Sequence, residues 1–210
     1  ARDQVKCAEL AVKLANDNGA LVVDGLAAKT RVLADGQEAQ DTLEVAGLGG
    51  ADTLSATVGV TGTMQATFDG GDDADSTLYD GTSADDAIAI APNGGAAAVS
   101  APGTVLVNSL PSVESLLVSG RGGDDTILGQ NGLSTLGTPV LTIDGGPGDD
   151  TLGGGDGADL LLGGGGNDHV DGNRGADTAL LGSGSDHFQW DPGDGSDVVE
   201  GQGGGNDQLD

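Results

Sequence analysis

Residues 145–189 read GGPGDDTLG, GGDGADLLL, GGGGNDHVD, GNRGADTAL and LGSGSDHFQ, five nonamers in succession without a gap. Their sixth positions are Asp150, Asp159, Asp168, Asp177 and Asp186, spaced by one nonamer each time. Each nonamer divides into a Gly-rich hexamer and a three-residue piece whose middle is apolar: Leu152, Leu161, Val170, Ala179 and Phe188. A three-residue strand rises only about 10 Å, and glycine supplies the positive φ that a tight turn between such strands requires. Two nonamers therefore make one flat turn of a parallel solenoid, with residues two nonamers apart stacked one layer up, about 4.8 Å away. A disordered Gly/Asp linker has no reason to set an apolar residue at every eighth position of the repeat. Two looser copies follow, PGDGSDVV at 192–199 with Asp197 and QGGGNDQL at 202–209 with Asp207, at spacings of 11 and 10.

Stacking places Asp150, Asp168 and Asp186 in one column and Asp159, Asp177 and Asp197 in another. Carboxylates one strand spacing apart repel each other unless something positive lies between them, and these columns hold almost no Lys or Arg. Over the 210 residues acids outnumber bases 34 to 7, a net charge of −27, and 29 of the acids are Asp. Solvating charge would use Glu freely, whereas an Asp excess beside 41 Gly points to turns or to a hard cation. Glycine turns also bring backbone carbonyls inward, and Ca²⁺ takes about 6 to 8 oxygens in flexible geometry.

The copies GGPGDDTLG, GGDGADLLL and GGGGNDHVD resemble the RTX, or haemolysin-type calcium-binding, repeat of secreted bacterial proteins, whose pattern is G-G-x-G-x-D-x-U-x. The resemblance implies an all-β fold, a right-handed parallel β-roll or β-solenoid that binds several calcium ions. It implies ligation by the position-six carboxylates of Asp150, Asp159, Asp168, Asp177 and Asp186, and by main-chain carbonyls around Gly145, Pro147, Gly154, Asp156, Gly163, Gly164, Gly165, Gly166, Gly172, Gly175, Gly182 and Gly184. In the looser copies the corresponding residues are Gly193, Gly195, Asp197 and Asp207. Departures from the pattern fall at Asn173, Leu181, Pro192 and Asp194. Seven motifs paired across turns would hold about four to six ions. The resemblance further implies export through a one-step bacterial secretion channel, with an extracellular or cell-surface location.

Before Gly145 the copies thin out. GLGGADTLS at 47–55 (Asp52) and GRGGDDTIL at 120–128 (Asp125) are clear; GGDDADSTL at 70–78 (Asp75) and GTSADDAIA at 81–89 (Asp86) are degenerate. None has a partner two nonamers further on, so the expectation is that they serve as turn residues more often than as metal ligands. Asp41 to Asp75 and Asp52 to Asp86 are both 34 apart, which suggests a longer, irregular rung. Between the copies lie β-rich pieces, Ala20 to Asp24, Arg31 to Leu33, Thr104 to Asn108, Ser115 to Ser119 and Val140 to Asp144, flanked by turn residues. The architecture expected is one solenoid in two segments: residues 1–144 wide and irregular, residues 145–210 a tight calcium-binding roll. A separate small β-sandwich at the N-terminal end is the alternative. Residues 4–15 fit either a helical stripe or strand alternation, and strands are favoured.

Other functions find little support. There is no G-x-S-x-G, H-E-x-x-H or Walker-A stretch and no strand followed by GxGxxG, so no enzyme is expected. Cys7 reads as a small core residue, and it permits no internal disulfide. His169 and His187, two nonamers apart at position seven, should stack on the outer face, two ligands being too few for a closed metal site. Beyond Arg31 only Arg121 and Arg174 are basic, which argues against nucleic acid and anionic membrane as partners. No apolar run is long enough for membrane insertion. Ala1 to Val5 show neither an initiator Met nor a signal peptide, as in a mature piece or a fragment. The expected function is calcium-coupled folding outside the cell. The alternatives are the calcium-binding tail of a larger secreted enzyme or toxin and a self-assembling surface-layer or adhesin module, with neighbouring domains or self-association as the partners.

Overall fold

The computed structural model describes residues 21–24, 29–33, 42–47, 50–57, 65–102, 104, 106–136 and 140–210. Residues 4–15, Cys7 and Asp41, on which several expectations rested, lie outside that set. The strands are β1 (Leu21–Asp24), β2 (Lys29–Leu33), β3 (Thr42–Ala46), β4 (Thr53–Thr57), β5 (Gln65–Asp69), β6 (Ser76–Asp80), β7 (Ala87–Asn93), β8 (Ala96–Ser100) and β9 (Leu106–Ser109). There follow β10 (Ser115–Ser119), β11 (Thr126–Gly129), β12 (Val140–Pro147), β13 (Thr151–Gly153), β14 (Leu160–Gly165), β15 (His169–Asp171), β16 (Thr178–Ser183), β17 (His187–Gln189), β18 (Val198–Glu200) and β19 (Gln208–Leu209). Among the described residues the one helical element is a short 3-10 turn, Ser134–Leu136.

From β3 to β7 and again from β10 to β19 the chain alternates between two sheets. One has the order β1-β4-β6-β10-β12-β14-β16-β18, the other β19-β17-β15-β13-β11-β7-β8-β9-β5-β3-β2. The C-terminal pairings are parallel, and through the five uninterrupted copies each is offset by two nonamers: Leu160↔Thr178 in one sheet, Leu152↔Val170 and Val170↔Phe188 in the other. Side chains alternate in and out with period two. The inward set is a single apolar cluster from Val45 through Leu54, Phe68, Tyr79, Ile127, Ile143 and Leu161 to Phe188. All five position-eight residues, Leu152, Leu161, Val170, Ala179 and Phe188, lie in it.

The wide segment departs from the sequence reading in the length of its rungs, not in their irregularity. Its rungs are longer than two nonamers and unequal: Thr53 pairs with Ser76, Ser76 with Ser115, and Ser115 with Val140. Carboxylates stacked across these rungs lie 23, 39 and 25 apart in sequence. The longer spacing read from Asp52 to Asp86 is no rung. It is one rung plus the crossing from one sheet to the other, so Asp52 precedes β4 and Asp86 precedes β7, strands of different sheets. The longest rung contains a β-hairpin, β7 against β8, closed at Asn93↔Ala96 by Gly94 and Gly95 with φ of 59° and 93°. Positive φ at both central residues is what the two-residue hairpin turn needs. Strands β8 and β9 then lie between β7 and β5, β8 antiparallel to both β7 and β9, and β9 parallel to β5. The boundary expected between residues 144 and 145 falls inside β12, which pairs with β10 on one side and β14 on the other.

Candidate calcium-binding turns

Each motif Asp stands at or next to the last residue before a strand, and its side chain turns back beneath the preceding rung. The Asp150 amide donates to Asp168 Oδ1 at 2.9 Å, the Asp168 amide to Asp186 Oδ1 at 2.9 Å, and the Asp186 amide to Asp207 Oδ1 at 3.2 Å. In the second column the Asp159 amide donates to Asp177 Oδ1 at 2.8 Å and the Asp177 amide to Asp197 Oδ1 at 3.0 Å. Asp197 and Asp207 thus stay in register with the uninterrupted copies, although they lie 20 and 21 beyond their partners in sequence instead of 18.

Oδ1 of Asp168, Asp177, Asp186 and Asp197 is thus used, and Oδ2 is not. Oδ2 of Asp150, Asp159, Asp168, Asp177, Asp186 and Asp197 is buried and, among the described residues, receives no hydrogen bond. A buried acceptor left unpaired costs about 1–3 kcal/mol, more when it is charged. The titration behaviour reflects this. Burial, reinforced by the charges of Asp177 and Asp156, pushes Asp159 up to about 7. Burial also pushes Asp168 and Asp177 up to about 6, against the pull of the amide hydrogen bond each accepts. Asp150 is raised for the same reason. Burying these carboxylates without a counter-ion is costly, and a cation beside the bare oxygens would offset that cost.

The glycine at position one explains where such a cation would fit. A Cβ built on Gly154 would lie 2.7 Å from Asp159 Oδ2 and 2.8 Å from Gly172 O, and one on Gly163 would lie 2.6 Å from Asp168 Oδ2 and closer still to Leu181 O. On Gly145 it would meet Asp150 Oδ2 and lie 2.8 Å from Gly163 O. The bare carboxylate oxygen and the next rung's position-one carbonyl therefore converge on a space from which side chains are excluded. Such donors are hard oxygens, anionic and neutral, the set that suits Ca²⁺ rather than a nitrogen- or sulfur-seeking metal. Among the described residues no group of three or more His, Cys, Asp or Glu side chains gathers as a chelating cluster. Any shell here must be completed by main-chain carbonyls.

The remaining expected site residues fall as follows. Pro147, Gly165 and Ser183 pair in successive rungs, and Gly148 and Gly166 donate to Gly165 O and Ser183 O at 2.7 and 2.9 Å. Gly164 and Gly182 carry φ of 107° and 99°, Gly166 and Gly184 φ of 138° and 151°. Gly175 bridges to Gly195, while Gly193 has open space around it. The carboxylate of Asp156 is committed elsewhere. Oδ1 accepts from the Gly132 and Ser134 amides at 2.8 and 3.2 Å and Oδ2 from the Ser134 hydroxyl at 2.9 Å, which holds it below the usual carboxylate range although burial opposes this. Asp156 can thus offer a cation only its main chain.

His169 and His187 stack on the outer face as expected, ring centroids 4.8 Å apart and Nδ1 atoms 2.7 Å apart, with His187 Nε2 3.1 Å from Asp210 Oδ2.

Three carboxylates that the sequence reading left as turn residues show the same arrangement. Oδ2 of Asp52, Asp75 and Asp125 is also buried without a hydrogen bond among the described residues. Their stacked partners exist, but at the longer offsets of the wide rungs: the Asp52 amide donates to Asp75 Oδ1, the Asp75 amide to Glu114 Oε2 and the Asp125 amide to Asp150 Oδ1. The available signal was a position-one glycine at the head of each motif, Gly47, Gly70 and Gly120.

Comparison with known proteins agrees with this geometry. Residues 117–136, 142–161 and 153–188 match the family model for the RTX calcium-binding nonapeptide repeat (4 copies). Neither the search of curated proteins nor that of solved structures returned a match. Between residues 117 and 188, then, this chain carries RTX calcium-binding nonapeptide repeats, in an all-β structure of largely parallel strands.

Proposed function

We propose that the chain is a non-catalytic calcium-binding module, a right-handed β-roll that becomes ordered as it takes up calcium outside the cell. The observation that carries the proposal is the double row of buried, unpaired Oδ2 atoms, of which those of Asp150, Asp159 and Asp168 face a glycine cradle that also receives a carbonyl oxygen. Bound there, Ca²⁺ would supply positive charge to carboxylates that are otherwise buried with no counter-ion. The chain's own part is to present oxygens and exclude side chains: Asp150, Asp159, Asp168, Asp177, Asp186, Asp197 and Asp207 give carboxylates, and the position-one residues Gly163, Gly172 and Leu181 give carbonyls.

Coupling to folding follows from composition. A net charge of −27 opposes compaction, 41 glycines raise the entropy cost of ordering, and ion binding becomes folding free energy. Extracellular calcium modules bind at about 10⁻⁴ to 10⁻³ M, which would leave this chain loose where calcium is scarce and fold it where calcium is abundant. We place it outside a bacterial cell on that ground and because RTX repeats are typical of secreted bacterial proteins.

A calcium titration followed by far-UV circular dichroism tests the reading, with Mg²⁺ as the control. Mg²⁺ is smaller and sheds water reluctantly, so it should not substitute in carbonyl-rich turns. The expected result is a cooperative gain of β signal near millimolar Ca²⁺ and none with Mg²⁺. A chain that is fully folded in chelator and indifferent to calcium would overturn it.

A further inference from the structure

The matched repeats begin at residue 117 and take in the wide-rung turn of Asp125, and the same turn is built once more at Asp52, outside every matched stretch. Asp52 is 3 % exposed and Asp125 1 %, and the unpaired Oδ2 of each points into a glycine cradle. A Cβ on Gly47 would strike both Asp52 Oδ2 and Gly70 O; one on Gly120 would strike Asp125 Oδ2 and lie 2.7 Å from Gly145 O. Carboxylate oxygen and next-rung carbonyl are thus paired as at Gly145 and Gly154, although the stacked carboxylates lie 23 and 25 apart in sequence instead of 18.

The neighbouring copy at Asp86 looks alike in sequence and is different in structure. A Cβ on Gly81 would again meet Gly120 O and lie 2.9 Å from Asp86 Oδ2. Here, however, Oδ2 accepts the Thr82 amide at 2.6 Å and the Thr82 hydroxyl at 2.9 Å. Position two, glycine in most of the tight copies, has become a threonine that closes the acceptor. Asp75 is bare like Asp52, but the next carboxylate in its column is a glutamate, Glu114, whose Oε2 accepts the Asp75 amide.

We propose that calcium binding extends beyond the matched stretches to the wide-rung turn of Asp52 with the Gly70 carbonyl, built like that of Asp125 with the Gly145 carbonyl, and that Asp86 is a hydrogen-bonded cap that binds no ion. The proposal rests on the reading that the matched repeats load calcium, and it adds that the turn, not the nine-residue spacing, specifies a site.

The test counts calcium ions on the full chain by native mass spectrometry and by equilibrium dialysis against calcium chloride. Asp52→Asn and Asp125→Asn place an amide where the bare oxygen stood, able to donate to the facing carbonyl without metal, so the fold should persist; circular dichroism at saturating calcium checks this. Each should bind one ion fewer than the parent, as should Asp168→Asn within the matched repeats, while Asp86→Asn keeps the parent count. Thr82→Gly removes the hydroxyl but leaves the main-chain amide on Asp86 Oδ2, so it too should keep the parent count, which keeps the cap at Asp86 testable even if Asp52→Asn failed to fold. Unchanged counts for Asp52→Asn and Asp125→Asn beside a loss in Asp168→Asn would overturn the two sites alone. An ion lost in Asp86→Asn or gained in Thr82→Gly would overturn the distinction at Asp86, and a parent that binds no calcium would overturn the function proposed above.

Discussion

Wide and tight rungs bury different amounts of apolar surface around the same turn. In the wide segment β5, β6, β7 and β10 each send two side chains inward: Ala66 and Phe68, Thr77 and Tyr79, Ile88 and Ile90, Leu116 and Val118. In the tight segment the three-residue strands β13, β15 and β17 bury one large side chain each, Leu152, Val170 and Phe188. A fully buried Leu, Val or Phe is worth about 1.5–3 kcal/mol, and glycine-rich turns are the costliest segments to order. The wide rungs therefore lean on packing and the tight rungs on whatever neutralises their Asp columns.

Chelation should separate the two most sharply. With EGTA, hydrogen exchange should show amides of 151–200 losing nearly all protection, while those of 65–118 retain a substantial part. Equal loss in both segments would mean that the wide rungs have no independent stability. Next in size is a methyl group placed in the cradle. Gly163→Ala sets a Cβ against Leu181 O and Asp168 Oδ2, backbone and buried side chain that cannot move aside cheaply. Calcium affinity measured by titration calorimetry should fall at least tenfold. A variant with parental affinity would show that the cradle is not where the ion binds.

Acid should mimic calcium, more in the tight segment than in the wide one. Asp159, Asp168 and Asp177 are pushed up to about 7, 6 and 6 in the folded chain, and Asp125 on the wide rung that precedes them to about 6, each chiefly by burial, against about 3.9 for an unfolded Asp. Groups that bind protons more tightly when folded stabilise most below the unfolded value, and that stability declines as pH rises through the folded one. Metal-free chain should thus melt at a higher temperature at pH 5 than at pH 8. Calcium-loaded chain should show the reverse trend in affinity, because protons compete for the same Oδ2 atoms. A metal-free melting temperature that rises with pH would contradict the burial of these carboxylates.

How much of this was legible in sequence depended on period. The position-six columns and the inward position-eight residues were readable because five copies repeat without a gap, and pairing across two nonamers leaves no freedom of register. Asp52, Asp75 and Asp125 were underrated because sequence distance was used as a proxy for stacking. The outer loops of a rung can absorb extra residues, as the offsets of 23, 39 and 25 show, so long as a carboxylate returns to the column. The hairpin in the longest rung escaped notice because Ala96 to Val99 carry weak strand propensity; their burial on a sheet, not their intrinsic preference, sets their conformation. Asp156 carries a motif-like position, and only the fold brings the Ser134 turn onto its carboxylate.

The smallest expected effect concerns a place where the tight roll departs from its own pattern. Position two is glycine in Gly146, Gly155, Gly164 and Gly182, at φ of 101°, 105°, 107° and 99°, but Asn173 in the fourth copy, at φ 61°. Arg121 occupies the same position in the copy before the roll, at φ 73°. Asn is the non-glycine residue most at ease there, and its own groups help: the Asn173 amide donates to Asp171 Oδ1 at 2.8 Å and Nδ2 to Asp171 O at 3.3 Å. Asn173→Ala loses the side-chain bond and keeps the Cβ strain, so urea unfolding in saturating calcium should show a loss of about 1 kcal/mol. Asn173→Gly loses the same bond but relieves the strain, for a net change within about 0.5 kcal/mol. Both variants retain the position-two carbonyl and the full Asp column, so neither should alter the calcium count. If alanine proved harmless, the left-handed turn would not be a constraint of the repeat, and glycine at position two would be needed only where, as at Gly164 against Gly146 O, a neighbouring carbonyl leaves no room for a Cβ.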